Sequence, residues 1–380
     1  MTIVFVSIAL NIHQACVADE LYKLTNGNYW FVETGDINND YSKGGDMNDF
    51  SSRPYLIRLA DGKESVRKAL RLIREVDVMI YAAAPLMFLK ERIRTNKITF
   101  INSERWLKRG LINLLSPRLL KQQWYYHTSC HGKPFYALCS SAYAVGDFRL
   151  MQSFKKKCYK WGYFTAVPDI DVEVIQKAKR NVSTVRILWV ARFLQLKHPE
   201  QMLQLASLLY REKVDFTINM IGTGPEYGKI EALIQRKGLK GVVHLLGSMH
   251  NSKVLEAMRM HDIFCFTSDK NEGWGAVLNE AMSCGCCPVS SIETGSTPYL
   301  IKEGINGFSF NLKKKNDLFD KVLWLIKHPE ERERMSIEAY KTIRDVWSPK
   351  NAAEQLYKLC QSMLQGESYV VEDGPCSKAE

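Results

Sequence analysis

The sequence predicts an α/β protein built as two Rossmann-like domains facing a cleft, and three observations carry that expectation. The chain has 380 residues, more than one core sustains, since single cores stop growing at roughly 250–300 residues. Apolar residues make up 46% and charged residues 24%, an ordinary globular composition that excludes a disordered, collagen-like or coiled-coil chain. Short apolar runs alternate with amphipathic stretches through both halves, as strands separated by helices do in a parallel sheet covered on both faces.

In the first half, residues 3–7 form a strand, 15–24 a helix ending near Asn26-Gly27, and 29–33 a second strand. A helix over 66–74 precedes a strand at 78–82, and 98–102 and 135–140 are further strands. The second half repeats the pattern more clearly. Strands at 186–191, 216–222, 242–246, 263–267 and 288–291 alternate with helices at 199–212, 226–237, 253–258 and 275–284. The expected boundaries are a first domain over 1–165, a linker over 166–184 and a second domain over 185–348. A helix over 349–365 should cross back to the first domain, and 366–380 reads as a polar, disordered tail. Pro168, a charged stretch and Asn181-Val182-Ser183 mark the linker.

No run of about 18 uncharged apolar residues occurs, so no membrane span is expected. The start, Met1-Thr2-Ile3-Val4-Phe5-Val6-Ser7, lacks a basic region and soon reaches Asp19-Glu20; it reads as a buried strand rather than a signal peptide. Ten cysteines without a signal peptide read as reduced intracellular thiols. Cys284-Gly285-Cys286-Cys287 has no second Cys or His pair nearby to complete a metal site, and its setting is a Gly-capped helix followed by a strand.

Charge is unevenly placed. Residues 1–180 hold 27 basic and 17 acidic side chains, residues 181–380 hold 25 and 24, and residues 90–160 alone hold 15 and 3. Such a basic half attracts an anionic membrane, nucleic acid or a phosphorylated substrate.

The chemistry concentrates in residues 268–282, which include Glu272-Gly273-Trp274-Gly275-Ala276 and Glu280. Two glutamates stand eight apart, one in the loop leaving a strand and one in the following helix. Gly273 and Gly275 clear side chains from the start of that helix, whose N–H groups suit a diphosphate. A carboxylate further along can accept from a ribose diol, and the loop carboxylate from a sugar hydroxyl.

Here the chain resembles the retaining glycosyltransferases of GT-B fold, family 4 (glycosyl transferases group 1). Their E-x7-E motif stands as Glu272…Glu280, followed by Ala281-Met282-Ser283-Cys284-Gly285. Also shared are Leu188-Trp189-Val190-Ala191-Arg192 with Lys197, Ile221-Gly222-Thr223-Gly224-Pro225, Leu246-Gly247 and Gly304-Ile305-Asn306-Gly307-Phe308. The likeness runs over about 185–356. It implies a hexosyltransferase-type enzyme that takes a sugar from a nucleotide-diphosphate sugar and needs no cofactor. Arg192 and Lys197 would hold the diphosphate and Glu272 the donor sugar. Glu280 would hold the ribose, with Gly273, Trp274, Gly275, Ala276, Gly222, Gly224, Gly247 and Ser248 completing the donor site. Ala191 and His198 depart from the family, where Gly is common at both places. The turn after Gly222 mimics a dinucleotide-binding turn but fails on glycine spacing and on Pro225. Asp169-Ile170-Asp171 has the spacing of metal-dependent sugar transferases but lies in the expected linker, so no divalent metal is predicted.

The acceptor side is less marked. Asn11 and His13 follow the first strand, and Glu104 and Arg105 follow the strand at 98–102. Many relatives carry a catalytic His there, where this chain has Ser103-Glu104, so that role is not carried over. Asn11, His13, Glu104 and Arg105 are the acceptor-side candidates. Residues 104–126 interleave Trp106, Leu107, Leu111, Ile112, Leu114, Leu115, Leu119, Leu120 and Trp124 with Arg105, Lys108, Arg109, Arg118 and Lys121. Pro117 should split this stretch into two amphipathic helices, and 155–161 adds a second basic, aromatic patch. Both suit an anionic membrane surface. The expected whole is an enzyme of surface-polysaccharide synthesis with a lipid-linked acceptor. It would be cytoplasmic and peripheral on the inner face of the cell membrane. A sugar-nucleotide epimerase or hydrolase, and a basic nucleic-acid-binding protein, are the rival readings. The neutral second half and the lack of an RNA-binding motif argue against nucleic acid.

Overall fold

The computed structural model of the protein describes residues 1–35, 49–108 and 110–380, and of Arg118 the backbone alone. The chain divides into two compact units, Met1–Ala166 with Val346–Glu380, and Val167–Asp345. Each is built on a parallel sheet.

The first unit contains β1 (Ile3–Ser7), β2 (Tyr29–Glu33), β3 (Leu56–Arg58), β4 (Val78–Tyr81), β5 (Ile98–Ser103), β6 (Phe135–Cys139) and β7 (Cys158–Lys160). They lie in the order β3-β2-β1-β4-β5-β6-β7, parallel throughout. β1 and β4 at the centre are buried at every position, which is why both stand in the sequence as unbroken apolar runs. The two edge strands, three residues each, are too short to show a pattern and are not foreseen from the sequence.

One charged residue holds the lower edge of this sheet. Arg92, in the helix Leu86–Ile93, is fully buried. Its five N–H groups all find acceptors. Nη1 donates to Ile73 O (2.9 Å) and Val76 O (2.8 Å), Nη2 to Asp77 O and Ile98 O (both 2.8 Å), and Nε to Thr99 Oγ1 (3.2 Å). The guanidinium thereby joins the end of the helix Lys63–Glu75 to the starts of β4 and β5. Burial pushes its pKa down to about 10; the cost is offset by complete hydrogen bonding.

The second unit contains β8 (Val185–Val190), β9 (Phe216–Ile221), β10 (Val243–Gly247), β11 (Ile263–Phe266), β12 (Cys287–Ser291) and β13 (Phe308–Phe310). Their order is β10-β9-β8-β11-β12-β13, again parallel. The order reverses between β8 and β11. In open α/β sheets, ligands bind beyond the carboxyl ends of the strands at that reversal. Cys284 closes the helix Val277–Ser283, Cys287 opens β12, and Cys286 Sγ donates to Met258 O at 2.9 Å.

Three expectations are corrected. The stretch expected to be a linker carries the helix Val172–Arg180, which belongs to the second unit. Asp171 of the Asp-x-Asp pattern caps it, Oδ1 accepting from the N–H groups of Glu173 and Val174 at 3.0 Å. Gln176 and Lys179 are buried and both donate to Gly285 O at 2.7 Å, so polar residues occupy positions where an apolar period would mark a buried helix face. The tail from Gly366 is ordered against β7. Cys376 N–H donates to Lys160 O (2.8 Å), Lys160 N–H to Ser377 O (2.8 Å) and Ala379 N–H to Cys158 O (3.1 Å). Backbone pairing of this kind covers an exposed sheet edge and leaves no compositional trace. Lastly, residues 155–161 are no aromatic surface patch: Tyr159 and Trp161 are buried, because Cys158–Lys160 is β7. The helix Pro349–Gln365 and the tail complete the first unit. Among the described residues, no helix is long and apolar enough to cross a membrane.

Arg92→Lys keeps the charge but offers three donors in place of five. It should lower the unfolding free energy by about 2–4 kcal/mol, read by urea denaturation.

Candidate functional site

Three loops leave the carboxyl edge of the second sheet and lock together. Phe193 N–H, after β8, donates to Thr223 O, after β9, at 2.8 Å, and Gly222 N–H donates to Gly247 O, at the end of β10, at 2.7 Å. The approach is close enough to exclude side chains. A Cβ on Gly222 (φ +132°) would stand 2.0 Å from Ala191 O, and one on Gly224 2.6 Å from Phe193 O. Loop packing therefore accounts for both glycines. Gly247 (φ +71°) ends its strand in open space, and Ser248 beside it is exposed.

The loop after β8 is tied equally to the loop after β11. Trp189 Nε1 donates to Thr267 Oγ1 (2.9 Å), Thr267 Oγ1 donates to Lys197 O (2.6 Å), and Asp269 N–H donates to Leu196 O (2.9 Å). His198 adopts the left-handed conformation (φ +47°), one that favours glycine. The imidazole repays the strain: Nδ1 contacts Glu200 Oε1 at 2.9 Å and Nε2 contacts Asp269 Oδ2 at 3.3 Å. Hydrogen bonding to Glu200 raises its pKa, with Asp269 adding to the rise and partial burial opposing it.

On this base Lys197 Nζ forms an ion pair with Glu272 Oε2. Each side chain is only 16% exposed, and the ammonium lies 5.8 Å from the centre of the Phe266 ring. Thus the residues expected to hold phosphate and sugar meet at the reversal point of the sheet. Arg192 is exposed, with no side-chain hydrogen bond or ion pair among the described residues. Gly275 (φ +86°) is obligatory, since a Cβ would stand 2.2 Å from Phe266 Cζ. Glu280 lies in the helix Val277–Ser283, largely enclosed, with Asn251 hydrogen-bonded to it; burial pushes its carboxyl up to about 7.

Trp274 departs from its expected place. Its side chain is buried, Nε1 donating to Asn279 Oδ1 at 2.8 Å, while its carbonyl accepts from Ser296 Oγ at 2.6 Å. It is a core residue, so its indole cannot face a ligand as the sequence suggests. Periodicity gives no warning, because an indole in a glycine-rich loop looks like a recognition residue.

In the first unit, His13 and Glu104 are linked through a residue that sequence reasoning missed. The rings of His13 and Tyr163 stack at 6.0 Å with planes 6° apart, and Tyr163 OH donates to Glu104 Oε1 at 2.5 Å. Glu104 Oε2 pairs with Lys108. Burial holds the His13 imidazole down at about 4, and its enclosed Nδ1 has no hydrogen-bond partner among the described residues. A small cavity beside it is lined by Gln14, Asn102, Trp161 and Tyr163. The other two candidates are engaged by different partners. Asn11 caps the helix Ile12–Leu24, Oδ1 accepting from Gln14 N–H at 3.0 Å. Arg105 turns to Asp147 (3.5 Å) and the Tyr143 ring.

The stretch 104–126 divides. Leu107, Leu119 and Tyr126 are buried, and Trp106 packs edge-on against Phe148 at 4.4 Å. Leu111, Ile112, Leu115, Leu120 and Trp124 remain 54–76% exposed. Pro117 opens the helix Pro117–His127, but Gly110–Leu115 before it is a short 3-10 turn rather than an α-helix. Lys121 is exposed; Arg109 and the Arg118 side chain lie outside the described residues.

Residues 172–342 match the family described as glycosyl transferases group 1. Over 181 residues the chain is 25% identical to N-acetyl-alpha-D-glucosaminyl L-malate synthase of Bacillus anthracis, 48% of this chain and 46% of that protein. Over 170 residues it is 26% identical to alpha-D-kanosaminyltransferase of Streptomyces kanamyceticus, 45% and 44% respectively. The aligned part thus spans less than half of these relatives. The fold is shared with Anabaena HepE in complex with UDP (TM-score 0.68, 14% identity, 95% of this chain and 100% of that one). It is shared also with sucrose-phosphate synthase from Thermosynechococcus elongatus (TM-score 0.68, 14% identity, 97% and 100%). Two parallel-sheet Rossmann-like domains are the GT-B architecture.

Glu280 generates a pH prediction. Its folded pKa of about 7 exceeds the ordinary 4.5, so the folded chain keeps a proton that the unfolded chain releases. The associated stability is complete below about 4.5 and is lost as pH rises to about 7. Glu280→Gln should abolish that loss. Between pH 4.5 and 7.5 the wild type should lose up to about 3 kcal/mol relative to the variant, measured by paired thermal melts.

Proposed function

We propose that the chain, whose residues 172–342 match the glycosyl transferases group 1 family, is a retaining glycosyltransferase using a nucleotide-diphosphate sugar. The observation that carries this is the Lys197–Glu272 pair at the reversal point of the second sheet. There a fixed cation and a fixed carboxylate offer partners for phosphate and sugar hydroxyl on rigid loops. Arg192 supplies a second, open cation, Glu280 a carboxylate for the ribose, and the main chain of 273–276 amides for phosphate. Gly247 and Ser248 would border the base. UDP, bound by HepE in its crystal structure, is the first nucleotide to test.

Transfer breaks the bond between the sugar C1 and the β-phosphate oxygen and forms one from C1 to an acceptor hydroxyl oxygen on the same face. The acceptor proton passes to the departing phosphate. Negative charge grows on the leaving oxygens, where Lys197 and Arg192 stabilise it without a divalent metal or other cofactor. Asp171 supports the metal-free reading, since its carboxylate is engaged in capping a helix. Such a front-face reaction needs no strong protein base. His13, held neutral, and Glu104, held by Tyr163 and Lys108, can orient an acceptor hydroxyl in the first unit.

The acceptor proposed is a growing glycan on a lipid carrier, met at a membrane on the cytoplasmic side. The exposed Leu111, Ile112, Leu115, Leu120 and Trp124, with Lys121 among them, form an apolar and basic surface suited to anionic lipid.

Lys197→Ala should lower the transfer rate by about 10²–10³-fold with an unchanged melting temperature, measured across a panel of nucleotide sugars. The product anomer, read by NMR, should match the donor. Sugar release that never requires an acceptor would favour a hydrolase. Leu111→Asp with Leu115→Asp should reduce sedimentation with anionic vesicles about tenfold at physiological salt and leave thermal stability intact. Equal sedimentation of both proteins would remove the membrane surface.

A further inference from the structure

We infer that Glu272 also acts before any ligand arrives, masking the Lys197 ammonium so that the second unit prefers a sugar nucleotide over the bare nucleoside diphosphate left after transfer. This rests on the nucleotide-sugar reading above.

The two cations of the site differ in state. Arg192 is exposed and open, whereas Lys197 is paired with Glu272, both side chains being mostly withdrawn from solvent. Reduced exposure strengthens the pair, because water and salt screen it less. Neither backbone can retreat. Thr267 holds the Lys197 carbonyl, Asp269 N–H holds Leu196, and the imidazole of His198 bridges Glu200 and Asp269. On the other side, Gly275 packs under the Phe266 ring and close to Glu272 Cγ. What remains free is the choice of partner made by the two side-chain tips.

A diphosphate reaching Lys197 must take the place of the carboxylate. An intact donor compensates, since its sugar hydroxyls donate to the displaced Glu272. A nucleoside diphosphate brings no such donors and leaves a carboxylate without its cation beside phosphate oxygens of like charge. Binding of the product is therefore penalised and binding of the donor is not. After transfer the sugar leaves Glu272, the carboxylate returns to Lys197, and the diphosphate loses a contact. Glu272 is in this sense a specificity-determining residue for donor over product.

The test is calorimetric titration of the full chain with UDP, GDP and ADP, and with UDP-glucose, GDP-mannose and ADP-glucose. It compares wild type, Glu272→Gln, Lys197→Met and the double variant, each checked for an unchanged melting temperature. Glu272→Gln should bind the nucleoside diphosphate about tenfold more tightly than wild type, the effect expected from one released charged hydrogen bond. The gain should vanish in the Lys197→Met background. Unchanged or weaker diphosphate binding by Glu272→Gln, or a gain that persists without Lys197, overturns the masking role while leaving the nucleotide-sugar reading standing. Absence of binding of every nucleotide to wild type overturns that reading, and the inference with it.

Discussion

The close approach of three carboxyl-edge loops is the constraint on which the second unit's site depends. The main chain at Gly222 lies so near the Ala191 carbonyl that no side chain fits between them. The same holds for Gly224 and Phe193, and the hydrogen bond from Phe193 to Thr223 closes the contact. Fixing residues 191–193 fixes where Arg192 emerges and where the chain turns toward Lys197. The second anchor, Thr267 between Trp189 and the Lys197 carbonyl, carries that order across to the loop holding Glu272. Preorganised charge acts without reorganising as reaction proceeds, and here the preorganisation resides in main chain and buried hydroxyls beneath the charged tips.

The first unit solves a different problem by different means. Its net positive charge resides in side chains such as Lys121, Lys155 and Lys156 on the surface. The cluster around His13 instead offers a neutral imidazole, a phenol and a carboxylate already paired with Lys108. Groups of that kind direct a hydroxyl by hydrogen bonds. The second unit, nearly neutral overall, sets opposite charges against each other at its candidate site in the Lys197–Glu272 pair. The uneven charge of the chain therefore describes the outer surface of the first unit more than its interior cluster.

How much of this was legible follows from what each feature leaves in sequence. Strands buried on both faces, such as β1, β4 and β11, write themselves as apolar runs, legible to within a residue or two. Glu272 stands out through a spaced motif and Lys197 through the family resemblance, whereas the ion pair between them is a finding of the structure. Tyr163 was not, since its role comes from stacking on a residue 150 positions earlier in the chain. Arg92 was hidden for the same reason: its acceptors are main-chain carbonyls, which every residue supplies. The helix at Val172–Arg180 and the ordered tail escape a sequence reading because Gln176, Lys179 and Lys378 spend polar groups on buried or paired contacts. Composition counts such residues as solvent-facing.

The two glutamates of the motif show how the proposed diphosphate site could carry carboxylates without repelling its ligand. Bringing a diphosphate toward two ionised carboxylates would cost several kcal/mol in a partly desolvated setting. Each carboxylate is neutralised by a separate route. Glu272 is compensated by the adjacent ammonium of Lys197. Glu280 is compensated by its own proton, since burial raises its pKa to about 7 and leaves about half of the groups uncharged at neutral pH. Beside the ionised fraction of Glu280, the open charge among the described residues of the site is that of Arg192, and it is positive. On the proposed function, an arriving diphosphate would meet Arg192 first, and a ligand hydroxyl would favour the ionised form of each carboxylate. Burial of Glu280, unfavourable for the fold above pH 7, would thus lessen the repulsion that an acidic motif presents to the proposed acidic ligand.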